Sequence, residues 1–378
     1  MSKIYFVTEY ADGNTERDLD CFVSALTVSS YIRDCIIESP KNNLTILSTA
    51  TSKKQAYITP SKKIVSESER HIYLASLRNN NTKCIRVLNQ LLTTLQIMAY
   101  IYCQVEKDDY VLIYHSYGIS RLLYYFRKII KRKYILFVGE IYNAVNMQPD
   151  NKIKQEIEYI SGAYGYIYAN DLMNEIFSFS KPFAICYSSY KNKKYNPQSF
   201  DDGKIHIVYA GKIARKVIND AFIALECAKY LDDNYHIHIL GYGDKEDLEF
   251  LNKQIEEINK EESFSTVSYD GCLSGEEYDD FLSKCQIGLC TRTLQEPYSH
   301  YCFPSKTVIY LSHNLVPICP NIEALRKSAI ADDLLFVDTM EPKEIAKCIL
   351  ANSNKTVNIS LINQLDLLFK DGMNKILE

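Results

Sequence analysis

Short apolar runs alternate along the whole chain with longer stretches whose apolar residues recur every three or four positions. Read in order, the runs predict strands at Ile4–Thr8, Leu44–Ser48, Tyr110–His115, Tyr134–Val138, Tyr164–Ala169 and Phe183–Tyr187. A second series predicts strands at Ile205–Ala210, His236–Leu240, Thr266–Tyr269, Ile287–Cys290, Val316–Cys319 and Leu334–Val337. Strands spaced by helical patterns make parallel sheets with crossover helices, so the expected class is α/β, with two doubly wound Rossmann-like domains. Between the series, Lys191 to Gly203 has no apolar period and carries Asn, Pro, Gly and charge, as a linker does. The expected division is therefore 1–190, a linker at 191–203, a second domain at 204–355, and a terminal helix within 356–378 suited to brace the first domain.

Local signals fill in the helices. Ile218, Ala221, Phe222, Leu225 and Ala228 form one buried stripe. Ser274-Gly275-Glu276-Glu277 has the spacing of a capping box at the start of the next helix but one. Pro304 suits a first helical turn, Ser305 and Lys306 follow it, and Asn314 ends that helix before the strand from Val316.

Composition narrows the classes. In 378 residues, 47% are apolar and 24% charged, which fits ordinary globular domains, and the net charge of -4 argues against a general nucleic-acid binder. The 12 cysteines are scattered singly with no Cys-x-x-Cys, as reduced core residues of a cytoplasmic protein would be. A strand begins almost at the first Met, so no signal peptide is expected, and no apolar run approaches a membrane span. No metal site is expected: the seven histidines form no His-Glu-x-x-His, and His236 and His238 occupy ordinary alternating strand positions. Asp18-Leu19-Asp20 complements a helix dipole better than it holds a metal.

Ligands of parallel sheets bind beyond the carboxyl ends of strands, and five such loops carry chemistry. Gly211 and Lys212 with Arg215 and Lys216 offer a glycine for close approach and cations for a diphosphate; a solvated charged loop is the alternative. Gly241 and Gly243 lack the third glycine of a dinucleotide fingerprint, so NAD is not favoured and a tight turn is the alternative. Gly271, Cys272 and Leu273 could lie against a flat base, and Glu296 could hold sugar hydroxyls just before Pro304, Ser305 and Lys306, a helix start suited to phosphate. In the first half, Glu140 follows a buried strand and His115 ends the preceding one; a strand-end histidine is more often structural.

In that order, Tyr-Ala-Gly-Lys at 209–212, Ile-Leu-Gly-Tyr-Gly at 239–243, Tyr-Asp-Gly at 269–271, Phe-Pro-Ser-Lys at 303–306 and Leu-Val-Pro-Ile at 315–318 resemble the GT-B glycosyltransferases of family 4 (glycosyltransferase group 1). The likeness is strongest to bacterial members that build capsule, O-antigen or exopolysaccharide. It implies a nucleotide sugar (UDP- or GDP-linked) bound by the second domain, a glycan or lipid-linked acceptor bound by the first, and retaining transfer without metal or other cofactor. It implies Lys212, Lys306 and Glu140 as catalytic. Donor contacts would come from Gly211, Lys212, Arg215, Lys216, Gly241, Gly243, Gly271, Cys272, Leu273, Glu296, Pro304, Ser305 and Lys306. Acceptor contacts would come from Gly13, Asn14, His115 and Glu140. Two positions depart from the pattern: Ile218-Asn219 replaces a usual Lys-Gly, and Ile309 replaces the glutamate that grips the nucleotide ribose, which keeps open a catalytically inactive GT-B-like sugar- or partner-binding protein, with a GT-B nucleotide-sugar epimerase as the other alternative. The basic, aromatic stretch from Arg121 to Lys133 suits peripheral contact with an anionic membrane at the inner face, or else is a crossover helix with a solvated basic face.

Overall fold

The alternation builds two parallel sheets, one in each half of the chain. The computed structural model describes residues 2–12, 19–52, 55–78, 82–126, 131–191, 199–215, 220–291, 301–358 and 360–378. Its contacts divide into two units: Met1–Ser189 with Tyr301–Phe303 and Leu367–Glu378, and Tyr190–His300 with Pro304–Asp366.

The first unit holds β1 (Ser2–Thr8), β2 (Asn42–Ser48), β3 (Ser61–Ile64), β4 (Glu69–Tyr73), β5 (Tyr110–Tyr114), β6 (Lys133–Val138), β7 (Gly165–Tyr168) and β8 (Phe183–Ile185). They lie in the order β8-β7-β6-β5-β1-β2-β4-β3. Every pair is parallel except β3 with β4, a hairpin that pairs Ser61 with Tyr73. Sequence periodicity misses that hairpin, because Ser-Lys-Lys-Ile is mostly polar and its turn lacks an Asn-Gly signal. Val7, Val111, Ile113, Leu136 and Val138 form one buried face of the central strands, and Phe6, Leu112, Ile135 and Phe137 form the other.

Its helices are α1 (Val23–Ile37), α2 (Lys83–Gln104), α3 (Tyr117–Phe126), α4 (Asp150–Ile160) and α5 (Asp171–Phe177). α2 is unusual in the face it turns inward. Beside the buried Ile97 and Ile101, Asn89 and Gln96 lie on its inner side and pair with the backbone of the segment after β4: Leu77 N–H donates to Asn89 Oδ1 at 2.7 Å and Ala75 N–H to Gln96 Oε1 at 2.8 Å. Each amide donates back to the carbonyl of the same residue. Leu88, Leu91, Leu95 and Tyr102, at helical spacing, are consequently left on the exposed side.

The second unit contains β9 (Ile205–Ile213), β10 (Tyr235–Gly243), β11 (Thr266–Tyr269), β12 (Ile287–Leu289), β13 (Val316–Pro320) and β14 (Leu335–Val337), all parallel in the order β11-β10-β9-β12-β13-β14. Strand order reverses between β9 and β12, the switch point at which open α/β sheets leave a crevice. Around it lie α6 (Asp220–Glu226), α7 (Lys245–Ile258), α8 (Gly275–Ser283), α9 (Lys306–Ser312) and α10 (Pro342–Asn352). The last helix, α11 (Leu361–Leu377), belongs to the first unit from Leu367 onward. There Phe369 lies against Tyr31, and Tyr110 donates its hydroxyl to Leu377 O at 2.9 Å.

Two helix starts differ from expectation. Ser274 stands at the N-cap of α8, but its side chain makes no cap bond, since Gly275 beside it adopts φ +59° and turns the chain out of box geometry. α9 opens at Lys306 rather than Pro304. Pro304 stays outside, and its carbonyl accepts from Thr307 N–H at 3.0 Å and from Thr307 Oγ1 at 2.8 Å. Asn314 takes φ +63° just past that helix, a left-handed stop that Asn tolerates. Among the described residues no helix is long and apolar enough to cross a membrane.

Candidate active site

At the switch point, β9 and β10 run further than the apolar pattern predicts. Gly211 pairs with Gly241 and Ile213 with Gly243, so the supposed loops are the last rungs of a ladder. The glycines are what permit it. A Cβ on Gly241, where φ is +144°, would fall 1.7 Å from the Gly211 carbonyl oxygen, and one on Gly243 would fall 2.6 Å from that of Ile213. Neither glycine opens a helix: α7 starts at Lys245, capped by Asp244, which accepts from Asp247 N–H.

Gly211 serves a different purpose. A Cβ there would lie 2.2 Å from Lys306 Nζ and 2.8 Å from the Tyr209 hydroxyl. The ammonium of Lys306 therefore rests on the bare backbone of Gly211, and it sits 4.3 Å from the centre of the Tyr209 ring, which attracts a cation through its π face. Tyr209 is itself tied by a hydroxyl donated to Lys212 O at 3.1 Å.

Beneath this cluster Tyr310 fixes α9 to the strand ends. Its hydroxyl accepts from Ala210 N–H at 3.1 Å and donates to Leu289 O at 3.3 Å, and burial drives its pKa far up, so it stays a neutral donor and acceptor. Its ring fills the space over Gly288, where a Cβ would come within 2.3 Å. Cys290 lies close by. Burial pushes its thiol up to about 12, against a smaller opposing pull from Lys306, so it is a packed hydrophobe and no nucleophile.

The other expected donor contacts divide sharply. Lys212 is exposed at the tip of β9. Arg215 is held away: its guanidinium donates to Glu246 at 2.9 Å, approaches Asp247 at 3.9 Å and lies over the Phe250 ring at 4.3 Å. These carboxylates open α7 and offset the charge offered for a diphosphate. Gly271 accepts from Gly241 N–H through its carbonyl at 2.9 Å, with Cys272 exposed and Leu273 half-buried next to it. Pro304, Ser305 and Ile309 are half-buried. Lys216, Ile218, Asn219 and Glu296 lie outside the described residues, as do Gly13 and Asn14.

In the first unit, Glu140 follows β6 and is half-buried. It raises the pKa values of Tyr114 and Tyr142, after burial as the larger cause, and Glu9 acts on both in the same sense. Glu9 was not singled out by sequence, since one glutamate after a strand carries no pattern. His115 is buried, with Nδ1 2.7 Å from Ser120 Oγ and Nε2 2.9 Å from Glu156 Oε1. Glu156 also accepts from the backbone N–H groups of Tyr142 and Asn143. Nε2 of His115 thus supports Glu156, which holds the start of the short helix Tyr142–Val145 after Glu140, while Nδ1 is engaged by Ser120 of α3; both contacts are positioning duties.

No family model matches the chain, and no curated protein matches its sequence. Solved structures do match its shape. The E. coli trehalose-6-phosphate protein bound with UDP-2-fluoro glucose matches with a TM-score of 0.66 at 9% identity, over 99% of this chain and 96% of that one. A UDP-forming α,α-trehalose-phosphate synthase from Burkholderia xenovorans in complex with glucose-6-phosphate matches with a TM-score of 0.63 at 8% identity, over 98% and 97%. Sucrose-phosphate synthase from Thermosynechococcus elongatus matches with a TM-score of 0.63 at 10% identity, over 100% and 95%. These neighbours are GT-B glycosyltransferases, and the fold of this chain is the GT-B fold.

Proposed function

We propose that this protein is a nucleotide-sugar-dependent glycosyltransferase whose second unit holds the donor diphosphate between Lys306, Lys212 and the backbone at Gly211. The observation that carries the reading is the Lys306 ammonium seated over Gly211 and against the Tyr209 ring at the switch point, where a diphosphate meets a positioned cation. As the glycosidic bond breaks, negative charge grows on the diphosphate, and a cation already oriented there stabilises it without reorganising. Lys212 adds a second charge. Arg215 is paired with Glu246 and is assigned no donor contact.

A uridine nucleotide is favoured among donors, because structural neighbours are named as UDP-forming or bound with a UDP-sugar. Glu140 and Glu9, at the carboxyl ends of the first unit's strands, are assigned to the acceptor's hydroxyls. The acceptor is taken to be a glycan or lipid-linked glycan of surface polysaccharide, in a retaining, metal-independent transfer at the inner face of the membrane. Two surfaces of the first unit support that location: the exposed stripe Leu88, Leu91, Leu95 and Tyr102 on α2, and exposed Tyr125 and Phe126 at the end of α3, beside the basic run through Lys131 and Arg132. Arg132 keeps its Nε on Val105 O at 2.8 Å, so part of that basic run is structural.

A second reading rests on Arg215 and Ile309: a GT-B-like protein that binds a sugar nucleotide without transferring it. Incubation with a panel of UDP- and GDP-sugars, followed for binding and for slow nucleotide release, separates the two. Transferase activity requires one donor to bind and release its nucleotide; binding without release supports the inactive reading, and an epimerised sugar nucleotide would indicate an epimerase.

A further inference from the structure

On one face of the second sheet, near the amino ends of β9 and β10, three histidines converge. His206 stands opposite His236 in register, and His238 lies two residues on along the same face. One ring nitrogen from each falls within 4.8 Å of the others. The donor pocket is elsewhere: from His206 to Gly211 along β9 is about 17 Å at roughly 3.3 Å per residue.

The hydrogen bonds around these rings leave a proton count that does not close. Asp202 Oδ1 lies 2.9 Å from His206 Nε2, His206 Nδ1 lies 2.8 Å from His238 Nε2, and His238 Nδ1 lies 3.0 Å from Asp270 Oδ2. Ser268 Oγ also lies 3.1 Å from His238 Nδ1, but it donates its one proton to Asp270 Oδ2 at 2.8 Å, so two neutral imidazoles supply one N–H each for three contacts that each need one. If both N–H groups point to the carboxylates, two lone pairs face each other at 2.8 Å. If one N–H fills that central gap, a carboxylate faces a lone pair. A cation between His206 Nδ1 and His238 Nε2 resolves the conflict, and it is either an extra proton or a metal ion.

The surroundings select the metal. Two imidazoles whose outer nitrogens lie on carboxylates and whose inner nitrogens face each other have the carboxylate support that metal-ligating histidines have. His236 stacks on His238 with ring centres 4.0 Å apart, and its Nε2 is held by Ser268 Oγ at 2.9 Å. Phe200 covers His206 and His238 at 4.1 and 5.0 Å between ring centres, and Phe281 meets His238 edge-on. The charged groups facing the cluster are Asp202, Asp270, Lys204 and, across Phe200, Lys284. Their formal charges cancel, which leaves an ion stabilised by ligation and by the two adjacent carboxylates.

We propose that His206, His236 and His238 form a site for a divalent ion of the zinc class, remote from the sugar-nucleotide pocket, with Asp202 and Asp270 as positioning residues. Zinc–nitrogen bonds of about 2.0–2.1 Å require the 2.8 Å pair to open and the 4.8 Å separation to shorten, both by ring rotation. The ion would then clamp β9 to β10, a stabilising role independent of the transferase reading.

The test is equilibrium dialysis of the full chain against zinc, with bound metal measured by elemental analysis, beside His206→Gln/His238→Gln. The expected result is one zinc more on the parent than on the variant, and a rise in Tm on adding zinc that the variant lacks. Cobalt(II) in place of zinc should give visible d–d bands without thiolate charge transfer, which separates this site from the exposed thiols of Cys84, Cys103 and Cys272. Should the double variant misfold by circular dichroism, Asp270→Asn is used instead, with an expected loss of about 10- to 100-fold in metal affinity. Equal zinc on parent and variants, a thiolate-type cobalt spectrum, or a Tm that responds to pH but not to zinc would each overturn the proposal. Sugar-nucleotide binding, measured in the same variants, is expected to be unchanged, so failure of either reading is seen separately.

Discussion

Gly211→Ala separates fold from site more cleanly than removing a charge. The added methyl would meet Lys306 Nζ at 2.2 Å and the Tyr209 hydroxyl at 2.8 Å, both of them ends of side chains rather than backbone. Ordinary carbon contacts begin at about 3.5 Å, so the ammonium must retreat by about 1 Å or more, leaving the face of the Tyr209 ring. The lysine end is flexible and yields cheaply, and the buried Tyr209 ring needs only a shift of a few tenths of an ångström on its bond to Lys212 O, so the cost to the fold is small beside that of a backbone clash. A hydrogen bond to a charged group contributes roughly 1.5–3 kcal/mol, so misplacing the ammonium should weaken donor binding about 10- to 100-fold. Calorimetric titration with UDP and a UDP-sugar reads that loss, and a thermal melt reads stability. Expected are a near-parental Tm and a donor Kd raised by that factor. Gly241→Ala is the contrast, since its methyl would strike the Gly211 carbonyl at 1.7 Å with φ at +144°, and it should fail to fold stably. A Gly211→Ala protein that binds donor like the parent while melting far lower would refute the reasoning.

Lys306→Ala and Lys212→Ala should each cut kcat/KM for the donor by at least tenfold with little change in Tm, whereas Arg215→Ala, already paired with Glu246, should change kcat/KM less than threefold; initial rates of nucleotide release decide. Glu69 provides an acid-stability test. Burial raises its pKa, but hydrogen bonds from His71 and Arg33 outweigh this and hold it down at about 2. Its depressed pKa means stability present above the ordinary carboxylate range and lost as pH falls towards 2. Glu69→Gln should therefore lower Tm at pH 7 and flatten its decline in acid, as melts across pH would show. For the membrane reading, Leu88→Ser/Leu91→Ser/Leu95→Ser, or charge reversal at Lys128, Lys131 and Arg132, should abolish flotation with anionic liposomes; unchanged flotation in both would sink it.

Strands at parallel-sheet centres were legible because burial on both faces makes runs such as Tyr-Val-Leu-Ile-Tyr and Tyr-Ile-Leu-Phe-Val stand out. The β3–β4 hairpin was not: β3 is a short edge strand of mostly polar residues, and β4 buries polar Glu69 and His71 where the apolar pattern would require hydrophobes. Gly211, Gly241 and Gly243 announced a close approach of backbones, yet whether a ligand or a neighbouring strand made that approach depended on the register. For Gly241 and Gly243 it is the strand; for Gly211 it is Lys306. Tyr209 and Tyr310 frame the lysine, but in a chain with 30 tyrosines they carry no local signal. Arg215 read as a phosphate ligand because Glu246 and Asp247, which take its charge, lie about thirty residues downstream. His236-x-His238 was visible as an alternating pair, and His206 completes the triad only once β9 and β10 are aligned. α2 is a further case: Ile97 and Ile101 face the core as the pattern requires, but only the backbone of Ala75 and Leu77 explains why Asn89 and Gln96 share that side while the leucines are exposed.

The most direct measurement is titration of the parent protein and Lys306→Ala with each of a panel of UDP- and GDP-sugars, with nucleotide release followed in the same samples. The parent should bind one of them and release its nucleotide, and Lys306→Ala should bind it at least tenfold more weakly at an unchanged Tm. Equal binding by both proteins, or no binding of any sugar nucleotide by the parent, would contradict a donor site built on Lys306 and Gly211.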